Sequence, residues 1–315
     1  MGKYKSGIKV FAPATVANVA CGFDCLGFAL NAPGDEIIVT LNDSRKGLKI
    51  TEITGAGGKL PYEIEKNTAA WAAQRFLESI GESDRGIDME IHKKMPFGSG
   101  LGSSAASAVA GVFAVNALTQ QHPFTKKELL TFAVDGEELA SGARHADNIA
   151  PCLFGGITMV RDNTTLDIHR LTTPRGLYAT VIYPRIEILT KEARGMLSTD
   201  VTLKQHIQQS ANMGGLIVGL YNGDFDLIGR SLKDLIIEPQ RAKLIPFFYE
   251  VQEAAMKAGA LGCSISGSGP SIFALSANSL IAEEAGLAMQ KIFKENKIRN
   301  ELYISPINQE GVILL

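Results

Sequence analysis

A chain of 315 residues is long enough for two lobes, and 45% hydrophobic against 20% charged residues is the balance of a globular protein with a sizeable core. Lysine and arginine together number 31 and aspartate and glutamate 33, so the net charge of -2 offers no footprint for nucleic acid and no basic run is long enough to be a binding tail. Cys21, Cys25, Cys152 and Cys263 have neither metal nor disulfide spacing and are expected as free thiols in a reducing, cytoplasmic compartment. The longest apolar stretch, around 105–118, is too short and too small-residued to span a bilayer, so no membrane partner is expected.

In chain order, residues 8–12 predict a strand broken by Pro13. The apolar segment 13–30 that follows carries Asn18 and Asp24; such residues either cap turns or face a ligand, and the segment alone does not decide. Residues 36–41 and 48–53 read as paired strands joined by the polar turn Asn42–Gly47. Apolar spacing predicts a helix over 67–80 with Asn67 at its N-cap, and Ile87, Met89 and Ile91 alternate with polar residues as a half-buried strand. Helices follow after residue 103, Ala-rich to about 117, and near 126–139. Composition loosens near Thr172–Gly176, where the lobe boundary is placed. A strand at 177–183, helices near 204–221, 224–237 and 241–258, a strand at 272–275, a helix around 279–295 and strands at 301–305 and 311–315 complete the chain.

The stretch Pro96-Phe97-Gly98-Ser99-Gly100-Leu101-Gly102-Ser103-Ser104-Ala105-Ala106 carries the chemistry. Its glycines permit positive φ and close approach to the main chain, and the loop opens onto the Ala-rich helix, whose free N–H groups and dipole favour an anion such as phosphate. It is neither a Walker A loop, which needs Gly-Lys-Ser/Thr, nor a dinucleotide fingerprint, which needs glycine where Ser103 stands. Further on, Glu137, Glu138, His145, Asp147 and Asn148 precede the pair Gly155-Gly156, as capping residues or as ligands.

The string from Pro96 to Ala106 resembles the ATP loop of the galactokinase, homoserine kinase, mevalonate kinase and phosphomevalonate kinase (GHMP) superfamily. Residues 13–30 and the second Gly/Ser-rich loop, 262–275, are similar to its other two motifs, in the same order and across nearly the whole chain. His145-Ala-Asp-Asn-Ile-Ala-Pro151, Lys191-Glu-Ala-Arg194 and Glu238-Pro-Gln-Arg241 resemble the homoserine kinase pattern in particular. The resemblance implies an α+β, two-lobed GHMP kinase fold: an N-terminal mixed α/β lobe over 1–172 that binds ATP, and a C-terminal ferredoxin-like lobe over 173–315. It implies phosphorylation of the L-homoserine hydroxyl, with ATP and Mg²⁺ as cofactors. Another small alcohol as substrate, or a ligand sensor without catalysis, is the alternative.

The resemblance also assigns residues. The phosphates would lie on Pro96, Gly98, Ser99, Gly100, Leu101, Gly102, Ser103, Ser104, Ala105 and Ala106, with Asn67 near the adenine. Ser104 and Glu137, with Glu138 as the adjacent alternative, would hold Mg²⁺. Arg194 and Arg241 suit a carboxylate, Asp24 an ammonium, and Asn18, His145, Asn148 and Thr190 the rest of the substrate, with Asn148, Asp24 and His145 nearest the chemistry. His92, His122, His169 and His206 stand outside these motifs and are expected on strands or the surface. A homodimer through the ferredoxin-like lobe is one option.

Overall fold

The computed structural model describes residues 7–119, 123–188 and 190–315; the side chains of Ala140, Ser141, Thr190 and Lys191 lie outside the description, as does His122. The first sheet holds β1 (Gly7–Ala17), β2 (Leu26–Leu41), β3 (Leu48–Thr54), β4 (Ile87–His92), β5 (Ile157–Asp162) and β6 (Asp167–Leu171). Strand β2, 16 residues long, organises it. It pairs with β1 along most of its length, with β4 through residues 36–41 and with β5 through residues 26–28, all antiparallel. The hairpin expected between 36–41 and 48–53 does not form. Strand β4 takes the place beside β2, and β3 pairs with the far edge of β4 in parallel. The buried Ile87, Met89 and Ile91 of β4 give it the more apolar face, which a central strand needs.

Four helices pack around this sheet: α1 (Thr68–Ser79), α2 (Ser103–Thr119), α3 (Lys126–Ser141) and α4 (Ile149–Phe154). Helix α2 is buried for most of its length, from Ala105 to Asn116. Its Ala/Gly composition lets the neighbours come close: a Cβ at Gly111 would collide with the carbonyl of Ala69. Gly136 of α3 meets Ala72 and Ala108 in the same way, at 2.8 and 2.9 Å from an added Cβ.

The chain leaves the first sheet after β6 and builds a second from β7 (Tyr178–Pro184), β8 (Gly262–Ile265), β9 (Ile272–Ser276) and β10 (Asn300–Pro306). Every pair is antiparallel and the order β10-β7-β9-β8 is that of a ferredoxin-like sheet. Between β7 and β8 lie α5 (Thr190–Gly195), α6 (Leu203–Asn222), α7 (Phe225–Ser231), α8 (Glu238–Arg241) and α9 (Phe248–Lys257); α10 (Ser279–Glu295) precedes β10. The helix expected over 224–237 ends at Ser231, because the Asp234 carboxylate collects the N–H groups of Ile236, Ile237 and Glu238 instead. The helix expected over 241–258 is interrupted at Pro246-Phe247, where proline has no N–H and Phe247 is left-handed at φ 59°. The last strand, β11 (Ile313–Leu314), returns to the first sheet and pairs with β1. The lobes share one core, in which Phe28 of β2 meets Phe273 of β9 edge-on at 5.8 Å.

Candidate active site

The glycine loop follows β4 and ends where α2 begins. Gly98, Gly100 and Gly102 sit at φ 58°, 76° and 67°. The loop is held from outside as well. Leu101 O accepts the Thr15 N–H at 3.0 Å and Ser99 O that of Ser271 at 3.1 Å. Gly100 O accepts the Ser266 hydroxyl at 2.6 Å. Below it Lys93, buried and ion-paired with Asp35, donates to Ser103 O at 2.9 Å and Ser107 Oγ at 2.7 Å. The first and third motifs thus meet the second from both sides, and Gly267 joins them by donating to Ala17 O and accepting from Asn18.

This scaffold frames a cleft of about 310 Å³, lined by Gly98, Ser99, Gly100, Gly102, Ser103 and Ser104 among others. The first turn of α2 opens into it, a setting that favours phosphate oxygens. Leu101, Ala105 and Ala106 are fully buried in the core and Pro96 is not in the lining. Asn67 does not line the cleft either: it is buried as the N-cap of α1, accepting from Ala69 and Ala70 and donating to Pro61 O. Its neighbours Lys66 and Thr68, with Leu60 and Leu139, wall the far end.

Of the adjacent glutamates, Glu137 reaches the cleft and Glu138 faces out to Arg144. Ser104 donates to Glu137 Oε1 at 2.9 Å. Burial pushes the Glu137 carboxyl up to about 7, against the opposing pull of the Ser104 hydrogen bond. A hydroxyl and a carboxylate at the mouth of a phosphate loop are hard oxygen donors, and a divalent cation would offset that burial. Among the described residues no three His, Cys, Asp or Glu side chains gather into a cage. The Ser104 and Glu137 oxygens fit Mg²⁺, which keeps waters and phosphate oxygens as its remaining ligands.

A second, smaller pocket of about 70 Å³ adjoins the cleft and shares Glu137, Asn148, Gly267 and Ser268 with it. Its other lining residues are Asn18, Asp24, His145, Asp147, Arg194 and Arg241. Asn18, Val19 and Ala20 are successive left-handed residues (φ 73°, 39° and 56°), and Asn18 Oδ1 accepts the N–H of Asp24, itself at φ 56°. Strain of this kind in a β-branched residue persists only where the surroundings enforce it, and here the turn aims two polar side chains into the pocket. Arg194 grips Asp24 with two bonds, at 2.8 and 3.1 Å. Arg241 is buried, donates to Gly267 O at 3.0 Å, and has its pKa lowered by burial and by Arg194. His145 lies 3.9 Å from Asp24, and burial lowers its pKa, so the ring is neutral at pH 7; its buried Nδ1 has no hydrogen-bond partner among the described residues. Asn148 accepts from Thr15 at 2.7 Å. The Thr190 side chain lies outside the described residues. His92 and His169 stand on β4 and β6, and His206 is exposed on α6.

Sequence reasoning missed three contributors. Phe23 lies under both arginines, its ring centroid 5.5 Å from Arg194 and 5.1 Å from Arg241. Lys93 and Asp35 brace the loop from below. A charged residue just past the alternating strand, at the next position where an apolar residue would fall, was the available signal for Lys93. Phe23 gave none, since an isolated aromatic in an apolar segment reads as core. Asp147, which the sequence left between cap and ligand, stands in the pocket wall, where burial pushes it up to about 7.

The glycine loop thus abuts a pocket lined by two guanidinium groups and the carboxyl groups of Asp24, Glu137 and Asp147, a lining suited to a small charged molecule. Models of the GHMP kinases N terminal domain and the GHMP kinases C terminal domain match residues 67–156 and 216–295. The homoserine kinase of Chlorobium phaeobacteroides strain BS1 is 47% identical, covering 96% of this chain and 97% of its own. The crystal structure of homoserine kinase from Cytophaga hutchinsonii superposes with a TM-score of 0.96 at 52% identity, covering 100% of this chain and 99% of that one. Mevalonate kinase of L. major, at 18% identity and a TM-score of 0.73 over 95% of this chain and 96% of that one, shares the fold. The chain belongs to the homoserine kinase family.

Proposed function

We propose that the protein transfers the γ-phosphoryl group of ATP to the side-chain hydroxyl of L-homoserine, giving ADP and O-phospho-L-homoserine for threonine biosynthesis. The observation that carries this reading is the shared wall: the pocket of Arg194, Arg241 and Asp24 adjoins the glycine-loop cleft, with Glu137 and Asn148 lining both. Phosphoryl transfer asks for alignment and charge neutralisation more than covalent chemistry. The loop N–H groups hold the phosphates, and Ser104 with Glu137 would hold Mg²⁺, which neutralises phosphate charge when bound. Arg194 and Arg241 take the substrate carboxylate, Asp24 the ammonium, and His145 and Asn148 orient the hydroxyl. Asn18 fixes the turn that presents Asp24. The hydroxyl proton passes to the transferred phosphoryl group or to Asp24, with no dedicated base.

On this reading residues 1–172 form the ATP lobe and 173–315 the second lobe, with β11 crossing back. Among the described residues no helix is long and apolar enough to cross a membrane. The free thiols Cys21, Cys152 and Cys263, all buried, support a cytoplasmic location. The test is ADP release with Mg²⁺ and ATP against L-homoserine, L-serine, L-threonine, mevalonate and galactose. Turnover confined to L-homoserine is expected. Turnover with a different alcohol overturns the substrate assignment, and ATP binding without any turnover makes the protein a sensor.

A further inference from the structure

The pocket beside the glycine loop is assembled from pieces far apart in the chain. The strained turn 18–24 between β1 and β2 supplies Asn18 and Asp24, α5 supplies Arg194 and α8 supplies Arg241. Inside the pocket they share one anchor, the Gly267 carbonyl, which accepts from Asn18 Nδ2 at 2.7 Å and from Arg241 at 3.0 Å. Arg241 also donates to Ala193 O at 3.4 Å, beside Arg194, so the placement of α8 bears on α5 as well.

A second anchor lies behind the pocket, on α6. Gln209 is half-buried and lines neither the pocket nor the cleft. Its Nε2 donates to Cys21 O at 3.4 Å and to Asp234 Oδ1 at 3.0 Å, and its Oε1 accepts the Leu235 N–H at 3.0 Å. Cys21 stands in the middle of the strained turn, three residues ahead of Asp24. Asp234 is the buried carboxylate that collects the N–H groups of Ile236, Ile237 and Glu238 and so leads the chain into α8. The two segments meet again where the Cys21 thiol donates to Ser231 O at 3.5 Å.

A glutamine amide has two donor hydrogens and one acceptor oxygen, and here all are in use between the two halves of the pocket. Left-handed residues such as Val19 and Ala20 keep their conformation only where their surroundings enforce it, and the bond to Cys21 O is part of that enforcement. Removing the Gln209 side chain therefore acts on both walls at once. The glycine loop is braced by Thr15, Ser266, Ser271 and Lys93, and none of those bonds runs through α6.

We propose that Gln209 is a positioning residue for the substrate, holding the Asp24 turn against the segment that carries Arg241. The inference rests on the substrate pocket assigned above. Steady-state ADP release and hydrogen–deuterium exchange of the free protein test it on Gln209→Ala. The KM for L-homoserine is expected to rise about 5–30-fold through the loss of one or two hydrogen bonds, with kcat and the KM for ATP within about twofold of wild type. Exchange should quicken in peptides covering 18–26 and 234–241 and stay unchanged in α1 and β4. Gln209→Glu keeps the size and the acceptor but lacks the N–H donors, so it should behave like the alanine variant, whereas a side chain needed only for packing would be replaced without loss. A KM for L-homoserine at its wild-type value in either variant overturns the proposal, as does a KM for ATP that rises in parallel or exchange that quickens throughout the chain. If the wild type turns over a different alcohol, the substrate assignment alone fails and exchange still decides: quickening confined to the two segments upholds the role of Gln209, and wild-type exchange overturns it.

Discussion

Replacing Arg194 by alanine separates substrate binding from folding, because the same guanidinium is worth very different amounts to each. In the free protein it meets both oxygens of Asp24, but the two side chains are 41 and 24% exposed, so water screens the pair. An exposed pair contributes ~0–1 kcal/mol, and stacking on the Phe23 ring adds ~0.5–1 kcal/mol. At ~2–4 °C per kcal/mol for chains of moderate size, the melting temperature falls by only a few degrees. To a bound carboxylate the fork is a charge-assisted partner worth ~1.5–3 kcal/mol, or ~10–150-fold in kcat/KM for L-homoserine. Steady-state ADP release, varying each substrate in turn, is the assay. The KM for L-homoserine should rise while the KM for ATP stays at its wild-type value. Arg194→Lys should recover part of the loss, since it keeps the charge without the fork. An unchanged KM for L-homoserine, or a KM for ATP that rises in parallel, would refute the reasoning.

Phe23→Ala should raise the KM for L-homoserine by ~5–30-fold, because the ring beneath the two arginines stabilises them by ~1–2 kcal/mol, and Phe23→Tyr should restore it; a change confined to the KM for ATP would contradict this. Gly102→Ala places a Cβ against Thr15 Oγ1 and 2.8 Å from Asn148 Oδ1, at a residue with φ 67°, so kcat should fall by ~10–100-fold in a protein that still folds by circular dichroism. Asp147 titrates at about 7 in the folded protein, chiefly through burial, against 3.8 for an unperturbed aspartate. The folded state therefore holds this proton more tightly than the unfolded state, and the stability it contributes is present below 3.8 and is lost as pH rises through about 7. Asp147→Asn should melt above the wild type at pH 8, by an amount worth a few kcal/mol at most, and the gap should close at pH 4; a gap that does not vary with pH in thermal melts would show that burial of the charge is not its cause.

What was legible in the sequence was local. The N-cap at Asn67, the alternation of 87–92 and the glycine loop ahead of α2 each declare themselves within a few residues, because backbone satisfaction and side-chain period act at that range. The sheet order was not legible. The turn-like 42–47 suggested a hairpin, yet β2 finds a more apolar partner in β4, beyond β3 and α1 in the chain, and β3 is left to its outer edge. The false helix ends have the same origin: Asp234 and Pro246 decide them through single contacts that periodicity averages over.

That Asn18, Asp24, His145, Asn148, Arg194 and Arg241 gather in one pocket was legible in the sequence, but the state of that pocket was not. Sequence reasoning gave Asp24 and Arg194 separate partners on the substrate, whereas in the free protein they bind each other. Half-buried charges left bare are costly, so a pocket built for opposite charges closes on itself when empty. Opening it is an exchange in which the ion pair is given up for two new ones. A zwitterion supplies both counter-charges at once and leaves neither residue unpaired. Mevalonate brings only a carboxylate and galactose brings neither, so either would strand Asp24 or both ends of the pair beside the neutral His145. On the proposed assignment the internal pair turns a modest gain for a zwitterion into a penalty for molecules that lack one of its charges, which is selectivity by the unpaired group.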